Sequence, residues 1–249
     1  MKRRLIGSAL IAFACAVTAH RWVVPSAAAV QNNCHSVPTA GELKQFLEGA
    51  PATGGDAGGL FHGERMWAAV VNRDGELCAS ATSTADPSQV WPGSQAIAKA
   101  KAYTANAFSL DTLALSTARL YTFTQPGHSL WSLGQSNPFN PTYLLPPSGQ
   151  GPGKNQINGG LIFFGGGVPL YVNGKMIGGL GVIGDTSCAD HEIAKRIRGL
   201  AALEPPGGSS VDDITYSVPD GPSVFTHPKC INTFRNGTFL GNEPNATGY

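Results

Sequence analysis

Hydrophobic positions recur along this chain with two periods, one typical of helices and the other typical of strands. Residues 39–49 place three large apolar side chains on one face, which predicts a short helix. The run "MWAAVVNRDGELCASA", residues 66–81, has apolar stretches on either side of an Asp-Gly turn and predicts a β-hairpin. Helical spacing returns after Pro92, and a further helix is predicted over residues 112–121.

A long connection and a second hairpin follow. Residues 125–160 have no sustained period and carry aromatic residues among prolines, which favours a loop packed against the rest of the molecule. Residues 161–184 predict three strands, with a glycine kink after the first and an Asn-Gly turn after the second. A last helix is predicted from Cys188 or Ala189 to Leu203, capped by the Thr-Ser pair just before it.

The order of these elements indicates the fold class. Strands joined by hairpins, with helices between them, predict one antiparallel sheet covered by helices, an α+β fold. Only one set of core elements is visible, so a single domain is the economical interpretation. We assign residues 30–65 to an N-terminal arm and first helix, residues 66–204 to the domain, and residues 205–249 to a C-terminal arm rich in Pro and Gly.

The first residues have the organisation of a secretory signal peptide. Three basic residues at positions 2–4 precede an apolar run from Leu5 to Ala19, and the alanines at 27–29 offer small residues before a cut. The apolar run is too short to span a bilayer comfortably. We therefore expect residues 1–29 to be removed, leaving a periplasmic or secreted protein without membrane association.

Removal of this leader changes the charge balance. The whole chain has 17 basic and 16 acidic residues, and the leader takes away Lys2, Arg3, Arg4 and Arg21, which leaves 13 basic residues and a net charge near −3. Nucleic-acid binding requires clustered Lys and Arg that neutralise phosphates. No basic run lies outside the leader, so nucleic acid and an anionic membrane surface are excluded as partners.

Four cysteines remain after cleavage: Cys34, Cys78, Cys188 and Cys230. An even number in an exported chain predicts two disulfides, for which three pairings exist. We favour Cys34 with Cys230, because both lie in terminal extensions, and therefore Cys78 with Cys188. Free thiols are less favoured because the periplasm oxidises them, and a zinc site is less favoured because no CxxC or HxxxH spacing occurs.

Three separated blocks, "VVNRDGELCA", "AIAKAKAYTANAFSL" and "GGGVPLYVNGKMIGGLGVIGDTSCADHEIA", point to one family. Together they resemble the GlcG/HbpS-type haem-binding family, which includes the C-terminal domain of the PduO proteins, over residues 66–203. The resemblance implies a profilin-like α/β sandwich, assembly into homo-oligomers, and noncovalent binding of haem or a related tetrapyrrole. The insertion at residues 51–63 and the C-terminal arm depart from the family's pattern.

Candidate site residues come from the glycine-rich strands, the helix after Pro92 and the long loop. Glycines in a strand leave bare main chain on which a flat ligand can lie, although they also mark bulges and tight packing. Haem iron needs an axial ligand, usually His, Met, Cys or Tyr. The predicted haem site comprises Lys101, Tyr103, His128, Gly166, Gly167 and His191, with His128 and His191 as candidate iron ligands.

These observations predict an exported haem-binding protein. The absence of a C-x-x-C-H sequence excludes covalent c-type haem. No nucleophile elbow, phosphate loop or metal-ligand spacing is present, so the sequence favours binding over catalysis. Two alternatives stay open: an enzyme that acts on a small molecule or degrades haem, and a non-catalytic oligomeric scaffold or sensor accessory.

Overall fold

The computed structural model describes residues 33–140 and 157–247. The predicted signal peptide and part of the predicted 125–160 loop therefore lie outside the described residues. The α-helices and strands, apart from short 3-10 turns, are α1 (Ala40–Gly49), β1 (Trp67–Asn72), β2 (Leu77–Thr82), α2 (Ser94–Phe108), β3 (Gly167–Val172), β4 (Lys175–Ile183), α3 (Ser187–Leu200), α4 (Ser217–Asp220), β5 (Thr233–Arg235) and β6 (Thr238–Gly241). Within the described ranges, no helix is both long enough and apolar enough to cross a membrane.

Four strands form one antiparallel sheet in the order β2-β1-β4-β3. Each predicted hairpin is present, and the two hairpins meet where β1 pairs with β4, with Trp67 opposite Ile183 and Val70 opposite Leu180. Every residue of β1 is buried, as expected for a central strand that is covered on both faces. The strands β5 and β6 form a separate hairpin in the C-terminal arm.

Helices cover both faces of this sheet. Ala68 and Val70 of β1 point into a core that α1 and α3 close, where Ile193 is fully buried. The alternate residues Trp67 and Ala69 point to the other face and pack with residues of α2. The predicted α+β class, an antiparallel sheet sandwiched between helices, is confirmed.

Glycines of β4 allow α2 to lie directly on the sheet. A Cβ atom added at Gly181 would collide with the carbonyl oxygen of Ala98, and one added at Gly179 would collide with that of Ala102. Most of α2 is buried, and its many alanines suit such a close approach. The space that the sequence suggested for a planar ligand beside these glycines is filled by the main chain of α2.

Two predicted elements differ from the structure. Residues 112–121 do not form an α-helix, and within them only Thr117–Leu120 form a short 3-10 helix. The residues expected to cap the predicted helix have other partners. The Ser109 hydroxyl is bonded to the main chain of Leu115, and the Asp111 carboxylate accepts from the N–H of Met176. Residues 161–164, predicted as a strand, also have no strand assignment.

Helix boundaries follow local capping signals closely. Thr39 caps α1 in a reciprocal capping box with Glu42, and the Thr186 hydroxyl accepts from the N–H of Ala189 at the start of α3. The predicted end of α3 at Leu203 is wrong by three residues, because Ala202 adopts a left-handed φ of 55° that a helix cannot continue.

Two disulfides attach the arms to the core, and their pairing corrects the favoured one. Cys34 is bonded to Cys78, and Cys188 is bonded to Cys230. The N-terminal arm lies beside β1 and β2, whereas the C-terminal arm reaches the start of α3, so each arm is bonded to the element on which it packs. Loops of this length, 44 and 42 residues apart in sequence, contribute about 4 kcal/mol each in the chain-entropy model.

The C-terminal arm covers a charged side of α3. The Arg198 guanidinium forms two hydrogen bonds of 2.7 Å with the carboxylate of Asp212, and both side chains are fully buried. Lys195 Nζ lies 2.8 Å from Asp213 Oδ2. Buried charges are tolerated only when they are paired and hydrogen-bonded, so the arm supplies the counter-charges that α3 needs.

Candidate functional site

The predicted site residue Lys101 belongs to a buried ion pair. Its Nζ lies 2.7 Å from Asp190 Oδ2 and donates to the carbonyl oxygen of Val182 at 3.0 Å. Asp190 Oδ1 accepts from the N–H groups of Gly184 and Asp185 at 3.1 and 3.0 Å. Neither side chain of the pair has any solvent exposure. The pair therefore joins α2, the end of β4 and α3.

The surroundings of Lys101 leave it no access to a ligand. Burial raises the pKa of Asp190 to about 7 and lowers the pKa of Lys101, while the attraction between the two charges opposes both shifts. The ring of Phe164 lies 4.7 Å from Nζ, and a Cβ atom at Gly166 would approach Nζ to 2.7 Å. Lys101 Nζ is thus enclosed by Asp190, the main chain of Val182, the Phe164 ring and Gly166.

The predicted site glycines are enclosed in the same way. The N–H of Gly167 donates to Thr117 Oγ1 at 2.9 Å, and the same hydroxyl donates to the carbonyl oxygen of Phe164 at 2.6 Å. A Cβ atom at Gly167 would collide with the Thr117 methyl group. Gly166 has a φ of 115°, which favours glycine whatever lies nearby. Glycine is therefore required at Gly167 by close packing and at Gly166 by the backbone conformation.

His191, the first candidate iron ligand, is fully buried within α3. Its Nε2 lies 3.3 Å from Asp213 Oδ1 without hydrogen-bond geometry, and its Nδ1 has no hydrogen-bond partner among residues 33–140 and 157–247. Although burial opposes it, the neighbours His191 and Lys195 lower the pKa of Asp213 below its usual range. A porphyrin could reach this imidazole only if the elements around α3 separated.

His128, the second candidate, lies on an exposed turn. Its N–H donates to the carbonyl oxygen of Gln125 at 3.0 Å, and the N–H of Trp131 donates to the carbonyl oxygen of His128 at 3.1 Å. The same turn therefore carries Trp131, whose side chain is 57% exposed. Of the two predicted iron ligands, His128 is the accessible one.

A shallow cavity of about 220 Å³ adjoins this turn. Its lining includes Trp131, Leu133, Leu161 and Phe163. This volume is below the roughly 300–1,000 Å³ of most ligand pockets, so a large planar molecule would lie across the opening. We call the exposed turn and this cavity the His128 surface. Trp131 was visible in the sequence as an aromatic residue of the loop, but nothing there indicated that Leu161 and Phe163 would join it.

Tyr103 lies away from Lys101, the other predicted site residue of α2. Its ring packs against the β1–β2 turn, where a Cβ atom at Gly75 would approach Tyr103 Cε2 to 2.9 Å. Lys101 thus lies with Gly166, Gly167 and Asp190, the residue before His191. Tyr103 and His128 lie elsewhere.

A cavity beside α1 has the wrong charge for haem. It has a volume of about 540 Å³ and is lined by His62 together with Glu48, Asp56 and Glu64. His62 Nδ1 lies 2.9 Å from Asp56 Oδ1, and the hydrogen bond to Asp56 raises the pKa of His62. Haem carries two propionates, which these carboxylates would repel. No pattern in the sequence indicated this cavity.

Comparison with known proteins identifies the family. Residues 56–198 match the model of a family described as "Haem degrading protein HbpS-like", and this match covers more than half of the chain. The chain belongs to the HbpS-like family. The resemblance noted in the sequence is thereby confirmed, and the matched segment of this HbpS-like protein extends from before β1 into α3. No curated protein matches the chain significantly.

Solved structures show weaker likeness. The chain is similar to the Klebsiella pneumoniae protein ORFY, with 21% identity and a TM-score of 0.46 over 66% of this chain and 87% of that chain. It is also similar to a PduOC complex with haem, with 21% identity and a TM-score of 0.45 over 64% of this chain and 88% of that chain. Its similarity to HbpS has 19% identity and a TM-score of 0.43 over 66% of this chain and 89% of that chain. The family match, and not these alignments, carries the assignment.

Lys101→Met is expected to destabilise the protein by about 3–5 kcal/mol, because the Asp190 carboxylate would stay buried without its cation. Lys175→Met is the matched control, since Lys175 pairs with Asp111 at the surface and its side chain is 77% exposed. The urea midpoint of the control should be close to that of the parent, because an exposed ion pair contributes little to stability. Urea denaturation of the three proteins measures the difference, and equal midpoints for Lys101→Met and the parent would contradict a structural role for the pair.

Proposed function

We propose that this HbpS-like protein binds haem, or a related tetrapyrrole, noncovalently at the His128 surface. The observation that carries the proposal is the position of His128, an accessible imidazole on the same turn as an exposed indole. Membership of a family whose description names haem supports a haem-related function. Among the six residues that the sequence suggested, His128 alone combines ligand chemistry with exposure.

The residues of this surface fit the chemistry of haem. A bound haem would supply an iron ion, and the His128 imidazole would hold that iron through a ring nitrogen. Trp131 offers a flat apolar face, and Phe163 and Leu161 extend the apolar area, against which a porphyrin ring would stack and exclude water.

The glycine-rich interior does not fit a porphyrin. Lys101, Gly166 and Gly167 are in contact with Asp190, Phe164 and Thr117, and His191 has no solvent exposure. Opening that region would expose the buried pair of Lys101 and Asp190 to partial solvation and break the packing of α2. We therefore place the proposed site outside the sandwich.

Hemin titration of the purified protein is expected to give a shifted Soret band that saturates at one haem per chain. His128→Ala should weaken binding about tenfold or more, equivalent to about 1.4 kcal/mol, because the haem iron would lose the histidine nitrogen that is proposed to hold it. His35→Ala is the matched control, since His35 is also exposed but lies in the N-terminal arm. A titration in which His128→Ala behaves like the parent would contradict the proposed ligand, and the absence of saturation would contradict the site.

Haem degradation is the second candidate, because the family description names it. The same haem-loaded protein, followed over time with a reductant and oxygen, separates the two functions. A Soret band that decays with release of iron supports an enzyme, whereas a stable band supports binding alone.

Export and self-assembly complete the proposal. The two disulfides fit an oxidising compartment, and the leader-like sequence at residues 1–29 fits passage to the periplasm or the medium. Exposed apolar side chains such as Leu110, Leu113 and Val224 offer surface for a second copy of the chain. Native mass spectrometry of protein recovered from the periplasm or medium tests both points. It should show a chain shortened near Ala29 in a homo-oligomer, and an uncleaved chain or a monomer would contradict the respective part.

A further inference from the structure

Three side chains of types that can bind a metal lie together at the N-terminal end of α3. Cys188, His227 and Cys230 are all buried, and their ligand atoms lie within 4.8 Å of one another. The two cysteines are joined in a disulfide, with Cα atoms 6.0 Å apart. A metal ion binds thiolates and not a disulfide, so this group can hold a metal only after the bond has been reduced.

We propose that reduction of the Cys188–Cys230 disulfide by a dithiol converts this group into a binding site for a thiophilic divalent cation, with Zn²⁺ as the expected occupant. The dithiol supplies two electrons and two protons and becomes a disulfide itself, and the two cysteines become thiols. Zn²⁺ then binds both sulfurs and His227 and displaces the two thiol protons. Three protein ligands leave the fourth tetrahedral position to water or a small molecule. This site is independent of the proposed haem function.

The His227 ring is held in the form that binds metals. Its Nδ1 lies 2.7 Å from the carbonyl oxygen of Pro228, which can only accept, so Nδ1 carries the proton and Nε2 carries the lone pair. Metal-binding histidines are commonly oriented by such a bond from the other ring nitrogen. Nε2 accepts from the N–H of Gly165 in a long hydrogen bond of 3.3 Å.

Packing restricts the His227 ring in addition to its two hydrogen bonds. The ring also packs against Tyr121, with 4.9 Å between centroids, which restricts its rotation.

The start of α3 favours a thiolate at Cys230. The N–H of Cys188 donates to Cys230 Sγ at 3.2 Å, and the Ser187 hydroxyl lies 3.3 Å from the same sulfur. Donors at a helix N-terminus stabilise a negative sulfur. After reduction, these groups would hold one ligand in place before the metal arrives.

The other disulfide provides an internal comparison. Cys34 and Cys78 have a similar Cα separation, 5.5 Å, but they belong to no comparable group of three ligands in the part of the chain that the structure describes. Reduction should therefore create a metal site at Cys188 and Cys230 and none at Cys34 and Cys78. The bound metal would keep the C-terminal arm attached to α3 in the absence of the disulfide.

Cobalt(II) is a suitable probe, since bonds between thiolates and Co²⁺ give a near-ultraviolet charge-transfer band. The full chain is titrated with Co²⁺ under anaerobic conditions, first oxidised and then reduced with a dithiol that has been removed before the titration. The reduced chain is expected to bind one Co²⁺ with this band and to release it to Zn²⁺, and the oxidised chain is expected to show no band. His227→Gln should weaken binding by about tenfold or more, whereas His35→Gln, next to Cys34, should bind like the parent.

Three results would overturn the proposal: no charge-transfer band in a reduced chain that keeps its circular dichroism, equal affinity in His227→Gln and the parent, and a reduced chain that unfolds and is not refolded by metal. Equal affinity would mean that the reduced cysteines bind Co²⁺ without His227. The Cys34→Ser/Cys78→Ser variant should keep the band, which locates it at Cys188 and Cys230. Hemin titration of the oxidised chain reports separately on the haem proposal.

Discussion

The direct contact between the main chains of α2 and β4 determines what the rest of this molecule can do. It exists because Gly179 and Gly181 have no side chain to meet the carbonyl oxygens of Ala102 and Ala98. At this short distance, Lys101 reaches through to Asp190 of α3 and joins both helical layers across the end of the sheet. Close-packed interiors have few voids larger than a water molecule. A porphyrin that binds this protein would therefore lie outside the sandwich.

The local signals of the sequence were sufficient for the central hairpins and for the starts of α1 and α3. Gly75 and Gly174 follow Asp74 and Asn173 in turns where both glycines adopt positive φ, so the turn chemistry was visible in the residues themselves. Ser109 and Asp111 failed as signals because a side chain that can cap a helix can equally bind a distant segment. The Asp111 carboxylate accepts from the N–H of Met176, 65 residues away, and no local sequence pattern indicates that contact.

The candidate site was harder to predict, because exposure depends on segments far along the chain. His191 and Lys101 have the chemistry of ligand-binding residues, yet both are buried, and Asp213 from the C-terminal arm lies against His191. His128 was predicted on chemistry and is accessible. The disulfide pairing followed the packing of each arm, which the spacing of Cys34 and Cys230 did not reveal.

The central claim, that haem lies at the His128 surface and not against the glycine strands, can be tested by nuclear magnetic resonance of the isotope-labelled protein with hemin. Paramagnetic iron broadens the signals of nearby amides. We expect loss of amide signals from residues 128–134 and 161–163, with those of Gly179 and Gly181 retained. Loss of the Gly179 and Gly181 signals, with the signals of the His128 turn intact, would contradict the account.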